Sequence, residues 1–382
     1  PENNKFVFDF TSDKEANWEL AGGKDQSLFK INSDGNLKFK QSPDFENPLD
    51  ANKNNIYKVV VGGRNPDAGN LSKQTVNVEI INTYGSLATN KPVKDIYSGS
   101  KGSNPSGLIQ FKKDLFFAAE NSKNGNELWT SGGSKKTTSL LKDINPGKAS
   151  SAPSGFSLFD NKLYFSANDG TTGAELWRTD GTSKGTTQVS DLRSGPESSS
   201  PSDFAVLDNK LIFAADDGND GSELWGLSKG SNNLGLIRDI NPDIGSAPKG
   251  LTNFKQKIYF SAEGEIYGRE LWETDGTKDG TKLVFDINPG GFHSNPLDLT
   301  VYGEKLYFTA ETYTGGRQVW SSNGTSSGTN KISPLGSQNI FSSVEGLTST
   351  GEQLFFSANS NLVSGNDNAE RQQLGRELWS MR

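Results

Sequence analysis

Cysteine is missing from all 382 residues, so neither a disulfide nor a thiolate metal site can form. Histidine occurs once, as His293. A single imidazole excludes a multi-histidine zinc centre, and a serine–histidine–aspartate triad would have to use that residue. Its setting, Gly290-Gly291-Phe292-His293-Ser294-Asn295-Pro296, is turn-like, and His293 reads as an ordinary loop residue. No stretch approaches the roughly eighteen apolar residues of a membrane span, and the opening residues carry no secretory signal. Basic residues number 39 against 46 acidic ones, the formal charge is −7, and no basic run exceeds two residues. Nucleic acid, which is held by clustered cations against phosphate, is therefore not an expected partner. Hydrophobic residues make up only 32% while glycines number 43. That balance suits short strands and tight turns better than long helices, in a chain with room for two or three domains.

What is present is a repeat. Glu-Leu-Trp occurs at Glu127-Leu128-Trp129, Glu175-Leu176-Trp177, Glu223-Leu224-Trp225, Glu270-Leu271-Trp272 and Glu377-Leu378-Trp379, with the variant Gln318-Val319-Trp320. The Trp residues are spaced 48, 48, 47, 48 and 59 apart. An apolar run centred on Phe117, Phe165, Phe213, Phe260, Phe308 and Phe356 recurs at 48, 48, 47, 48 and 48. The eleven extra residues of the last unit thus fall between these markers, within Asn359–Gly375. Each unit reads as four short strands, with a two-residue hairpin such as Asp160-Asn161 between the first two. A tight Asp-Gly or Asn-Gly turn, as in Thr179-Asp180-Gly181-Thr182, is expected between the last two. Four strands in about 48 residues, repeated, is the pattern of a β-propeller blade. The sixth unit ends before its fourth strand, and Pro92-Val93-Lys94-Asp95-Ile96 supplies a matching segment ahead of the first unit. Pairing the two would close a six-bladed ring and remove its exposed edges.

Because they recur once per unit, the Trp and Glu residues have a structural reading, with each Glu accepting backbone or hydroxyl hydrogen bonds. Asp95, Asp143, Asp191, Asp239 and Asp286, which open the loops into the next unit, share it. A catalytic group is needed once, not five times. The loops joining second to third strands are rich in carboxylates: Glu120, Asp169, Asp216, Asp217, Asp220, Glu263, Glu265, Glu311, Asp367 and Glu370. They form either a negative field that concentrates cationic partners or a solvated rim. The segment 216–221 superficially suggests a calcium loop, but Gly218 occupies a ligand position.

Residues 1–82 lack the repeat. Their alternating segments predict a small antiparallel β-sandwich, with 83–91 as linker and 92–382 as the propeller. Pro1-Glu2-Asn3, Asp13-Lys14-Glu15, Asp44-Phe45-Glu46, Asn54–Val61 and Asp67–Asn70 resemble, in order, the motifs of a cadherin-type domain. The propeller units resemble the ELWxxDGT repeats of large bacterial surface proteins. The cadherin resemblance implies calcium held by Glu2, Asp13, Glu15, Asp44 and Glu46. It also implies a neighbouring cadherin-like domain in a longer parent chain. The usual Asp-x-Asn-Asp-Asn linker is replaced by Ile80-Ile81-Asn82-Thr83, so a complete site at the junction with the propeller is not expected.

Together these features predict an all-β chain, a cadherin-like sandwich followed by a six-bladed propeller. The expected function is an extracellular, non-enzymatic adhesive module, calcium-dependent, with the propeller face binding a surface glycan, a protein or another copy of the chain. Asp169, Asp216, Asp217, Asp220, Glu263, Glu265, Asp367 and Glu370 are its candidate binding residues. The alternative is a polysaccharide hydrolase or lyase with its site on the same face.

Overall fold

Runs of aromatic and β-branched residues broken by Gly, Asn and Asp give strands throughout. The computed structural model describes residues 5–12, 15–43, 48–67, 69–80, 92–219, 221–313, 316–332, 341–360 and 374–381. Among these the only helical element is a three-residue 3-10 turn, Gln26–Leu28. The chain divides into two units, 1–92 and 93–382.

The first unit holds two three-stranded antiparallel sheets. In one, β4 (Asn36–Phe39) lies between β1 (Phe6–Asp9) and β3 (Phe29–Ile31). In the other, β5 (Ile56–Arg64) lies between β2 (Asn17–Gly22) and β6 (Leu71–Glu79). The alternation read from the sequence is realised on β5, where Tyr57, Val59 and Val61 are buried and Ile56 is exposed. These side chains meet Phe29, Leu37 and Phe39 of the opposite sheet, with the Phe39 and Tyr57 rings edge-on at 5.0 Å. Asp25 is buried too. Its carboxylate accepts the N–H groups of Ala51 and Lys58, each at 2.7 Å, which tie the loops to the core.

The second unit is six successive antiparallel sheets, one per repeat. Repeat one consists of β7 (Ser106–Phe111), β8 (Asp114–Asn121), β9 (Gly125–Ser131) and β10 (Thr138–Lys142). The next four repeats have the same four-strand order, and the sixth has three strands, Phe341–Ser349, Leu354–Ser360 and Leu374–Met381. Phe and Trp are cross-strand partners in every sheet, from Phe117 opposite Trp129 to Phe356 opposite Trp379. The hairpin predicted at Asp160-Asn161 is present, both residues having positive φ (46° and 56°) between paired Phe159 and Lys162.

Two expectations are corrected. The third and fourth strands are not joined by a tight turn: Arg178 pairs with Thr187, and a longer loop closes by the Thr186 hydroxyl donating to that of Thr179 (2.8 Å). In that loop Asp180 caps its own turn by accepting from Thr182, and only Gly181 takes a positive φ, 95°. Nor do residues 92–96 form a strand, and among the described residues the sixth sheet has no fourth member. The segment is anchored to repeat one instead. Lys94 donates to the Thr138 carbonyl (2.7 Å), as Lys142 does to Thr186 (2.8 Å) and Arg238 to Thr281 (2.9 Å) one repeat further on. Proline at 92 also removes one ladder donor.

The core lies between successive sheets. One cluster joins Leu224, Ile237 and Ile240 of repeat three to Phe260, Ala262 and Trp272 of repeat four. Another joins Leu271 and Ile287 to Phe308, Ala310 and Trp320. A buried indole removes roughly 150–250 Å² from water, worth several kcal/mol at about 25 cal/mol per Å² as an upper bound. Each repeat therefore depends on its neighbour to cover its apolar face.

Candidate functional site

The repeated Glu is a clip between sheets. Glu270, fully buried, accepts from the Ile287 N–H (2.9 Å), the Ser294 N–H (3.0 Å) and the Ser294 hydroxyl (2.6 Å). Glu127, Glu175 and Glu223 hold Ser151, Ser199 and Ser246 in the same way, at hydroxyl distances of 2.5–2.6 Å. Burial pushes the Glu270 carboxyl up to about 7, although the Ser294 hydroxyl and the Ile287 N–H pull the other way. Burial raises Glu127, Glu175 and Glu223 as well. The recurrent Asp residues cap the following turns, Asp143 accepting from Gly147 and Asn124, and Asp191 from Gly195. The structural reading holds for Glu127, Glu175, Glu223 and Glu270 and for Asp143, Asp191 and Asp286.

These clips bring two loop types onto one face of the unit: those from second to third strand, and those entering the next repeat. Several of the carboxylates expected there are paired with cations. Asp216 is paired with Arg193 at 2.7 Å, Glu311 with Arg317 at 2.7 Å and Glu120 with Lys101 at 3.6 Å. Glu263 lies 3.8 Å from Arg269 and 3.3 Å from Nδ1 of His293. Asp169 is partly buried, which would raise it. Hydrogen bonds from the Thr172 and Thr171 N–H groups nevertheless hold it below the usual carboxylate range. Asp217 caps the Asn219 N–H. Asp220, Asp367 and Glu370 lie outside the described residues. His293 serves the fold as predicted, its Nδ1 accepting the Arg269 N–H at 3.0 Å.

What stands out on this face is apolar. Ile244, Ile266, Phe292 and Tyr313 are 74%, 65%, 56% and 81% exposed. Ile244 and Ile266 line a groove of about 260 Å³ with Asn241, Asp243, Glu263 and Glu265. Gly268 and Gly291 also line the groove, and Gly291 runs into Phe292, whose ring lies 5.7 Å from that of Tyr313. The Tyr313 N–H is held by Asn288 Oδ1 (3.1 Å), which fixes the loop carrying it. Individual apolar residues in loops carry little signal, so these four were not singled out from the sequence. Aligning the units at 47–48 residues would have found them: Asn288-Pro289-Gly290-Gly291-Phe292 stands where repeat one has Asn145-Pro146-Gly147-Lys148-Ala149.

Of the calcium candidates, Glu2, Asp13, Asp44 and Glu46 lie outside the described residues. Glu15 lines a cleft with Phe10 and Trp18 in the first unit. Among the described residues no cluster of three or more His, Asp or Glu is placed to hold a metal. No described helix is long and apolar enough to cross a membrane.

No protein family matches the chain, and no curated protein does. Similar solved structures come from peptidases. One is a prolyl endopeptidase studied for inter-domain dynamics, at 11% identity and a TM-score of 0.47, covering 86% of this chain and 47% of that one. Oligopeptidase B from Leishmania major shares 11% identity at a TM-score of 0.44, covering 91% and 46%. The β-propeller domain of the Trilobed protease from Pyrococcus furiosus shares 11% at 0.40, covering 86% and 88%. The chain thus spans about half the length of the two whole peptidases. Structures of peptidases correct the expectation of an adhesive, non-enzymatic module and its polysaccharide-enzyme alternative. What the likeness conveys is the fold: an all-β chain of small antiparallel sheets, with a β-propeller.

Proposed function

We propose that residues 93–382 are a six-bladed β-propeller that captures extended polypeptide on its loop face, in a protein concerned with peptide processing. The observation that carries this is the Ile244–Ile266–Phe292–Tyr313 patch. Four large apolar side chains exposed together, on loops where other repeats carry small or polar residues, mark an interaction surface. The groove is rimmed by Asp243, Glu263 and Glu265, so it favours a peptide that sets an aromatic or aliphatic side chain beside Lys or Arg. Six sheets, each sharing a core with the next, support the blade count.

The test is fluorescence anisotropy with labelled peptides that pair apolar and basic residues, against acidic controls. Binding that falls at least tenfold in Tyr313→Ala and Ile266→Asp supports the reading. Equal affinity for acidic and basic peptides, or indifference to both variants, overturns it. Calcium at Glu2, Asp13, Glu15, Asp44 and Glu46 stands as a second proposal, resting on the acidic motifs of the first unit. A calcium titration that leaves heat and melting temperature unchanged rejects it.

A further inference from the structure

The interlock between repeats is made of recurring parts, and two half-sets lie unused at opposite ends of the second unit. Leu128, Leu176, Leu224 and Leu271, with Val319, are 0–3% exposed, each packed against the Phe, Ala and Trp of the following repeat or its neighbouring side chains. Leu378, their counterpart in repeat six, is 73% exposed. Glu377 is exposed as well, whereas Glu127, Glu175, Glu223 and Glu270 are buried about a Ser and an Ile or Leu N–H of the connection into the next repeat.

The missing half is present in repeat one. Ser103 lies 48 residues before Ser151, and its carbonyl accepts the Glu120 N–H (2.9 Å) just as the Ser151 carbonyl accepts that of Asn168 (2.9 Å). Yet Ser103 is only half-buried, while Ser151, Ser199, Ser246 and Ser294 are at most 1% exposed. Ile96 lies 48 residues before Ile144 and packs with Phe117, Ala119 and Trp129, as Ile144 does with Phe165, Ala167 and Trp177.

The first strands repeat the complementarity. A Cβ on Gly107 or Gly155 would meet the ring of Phe156 or Phe204 of the next repeat at 2.6 or 2.7 Å. Gly346 of repeat six, with φ 70°, has nothing within 4 Å of that position. Leu108, the equivalent of Phe156 in repeat one, is 61% exposed.

We propose that the sixth and first repeats join in solution through a sixth copy of this interlock. The Glu377 carboxylate accepts from the Ile96 N–H and from the Ser103 N–H and hydroxyl. Leu378 buries against the Phe117–Trp129 side of repeat one, and Leu108 covers Gly346. The occupant of each edge is the other edge of the same chain, because the two match residue for residue at the repeat spacing. A buried carboxylate that satisfies three donors at once fixes register as well as closure.

Hydrogen exchange on the intact chain reads the proposal without any substitution. The Ile96 and Ser103 amides should be protected to within about tenfold of Ile144 and Ser151, and Glu377→Gln should lower protection at 96 and 103 while leaving 144 and 151 unchanged. Free exchange at Ile96 and Ser103 overturns it. Protection that appears only as concentration rises, with a dimer on size-exclusion chromatography, also overturns it by assigning the edges to a second copy. As an independent readout, Leu378→Ala should lower Tm by several degrees, as Leu271→Ala should. A Tm unchanged by Leu378→Ala alone overturns the proposal. None of these residues lies in the Ile244–Tyr313 patch, so loss of peptide binding and failure of closure are separable.

Discussion

Repeats two and four bury the same residues and expose different ones. Phe165 and Phe260 are both fully buried, Trp177 and Trp272 are 6% and 5% exposed, and Glu175 and Glu270 each grip a Ser hydroxyl at 2.6 Å. Their loops diverge. Repeat two turns through Asp169-Gly170-Thr171-Thr172, where the carboxylate satisfies the turn itself, and leaves along a loop that carries Arg193 and Glu197. Repeat four turns through Gly264-Glu265-Ile266-Tyr267 and leaves through Gly291-Phe292. The frame is set by what every junction needs, while the loops are free of that demand and can carry recognition.

The comparison breaks first at the clips. Glu270→Ala should cost roughly 3–5 kcal/mol in chemical denaturation, because it strands the Ile287 and Ser294 donors in the core. Glu175→Ala should cost about as much, since it strands Leu192 and Ser199. A large cost in one repeat only would show that the junctions are not equivalent.

The same clips give a pH dependence. The folded chain holds Glu270 near 7, above its ordinary 4.5, so folding favours the protonated form. This contribution is full below 4.5, is lost as pH rises toward 7 and is flat above, a span on the order of 3 kcal/mol. Glu270→Gln should flatten stability across that window. Glu175→Gln should act in the same direction, since burial raises Glu175 too. A stability that instead climbs from pH 4.5 to 7 because of Glu270 would mean that its three donors outweigh its burial.

On the loops the contrast reverses. Ile266→Asp should change stability by less than about 0.5 kcal/mol, because the side chain is 65% exposed, yet abolish peptide binding. Thr171→Asp, on the corresponding loop of repeat two, should leave both unchanged. The smallest effect is expected for Arg193→Ala. It removes a partly exposed pair with Asp216, worth about 0.5 kcal/mol by urea denaturation and less at high salt.

Much of the frame was legible from residue spacing. Phe117 to Phe356 and Trp129 to Trp379 recur because each must sit opposite the other on adjacent strands, and Asp160-Asn161 announces a hairpin because both residues tolerate positive φ. The loop at Thr179–Thr186 was less legible, since its closure depends on two hydroxyls meeting seven residues apart. The acidic face was legible as composition, but not the pairing of its members. Asp216 meets Arg193 across 23 residues and Glu120 meets Lys101 across 19, pairings that only folding creates. Ile266, Phe292 and Tyr313 give no periodic signal, because they stand in loops.

The sequence by itself determined that this chain is all-β, that its second unit is built of six like parts, and which face of each strand is apolar. It could do so because strand pairing and burial act on residues at fixed spacing, and these leave a period. Tertiary structure alone decided which donors each Glu clip grips, which carboxylates are neutralised by a neighbouring cation, and where apolar side chains gather in the open. Those outcomes depend on contacts between loops of different repeats, whose partners are set by the stacking of whole sheets.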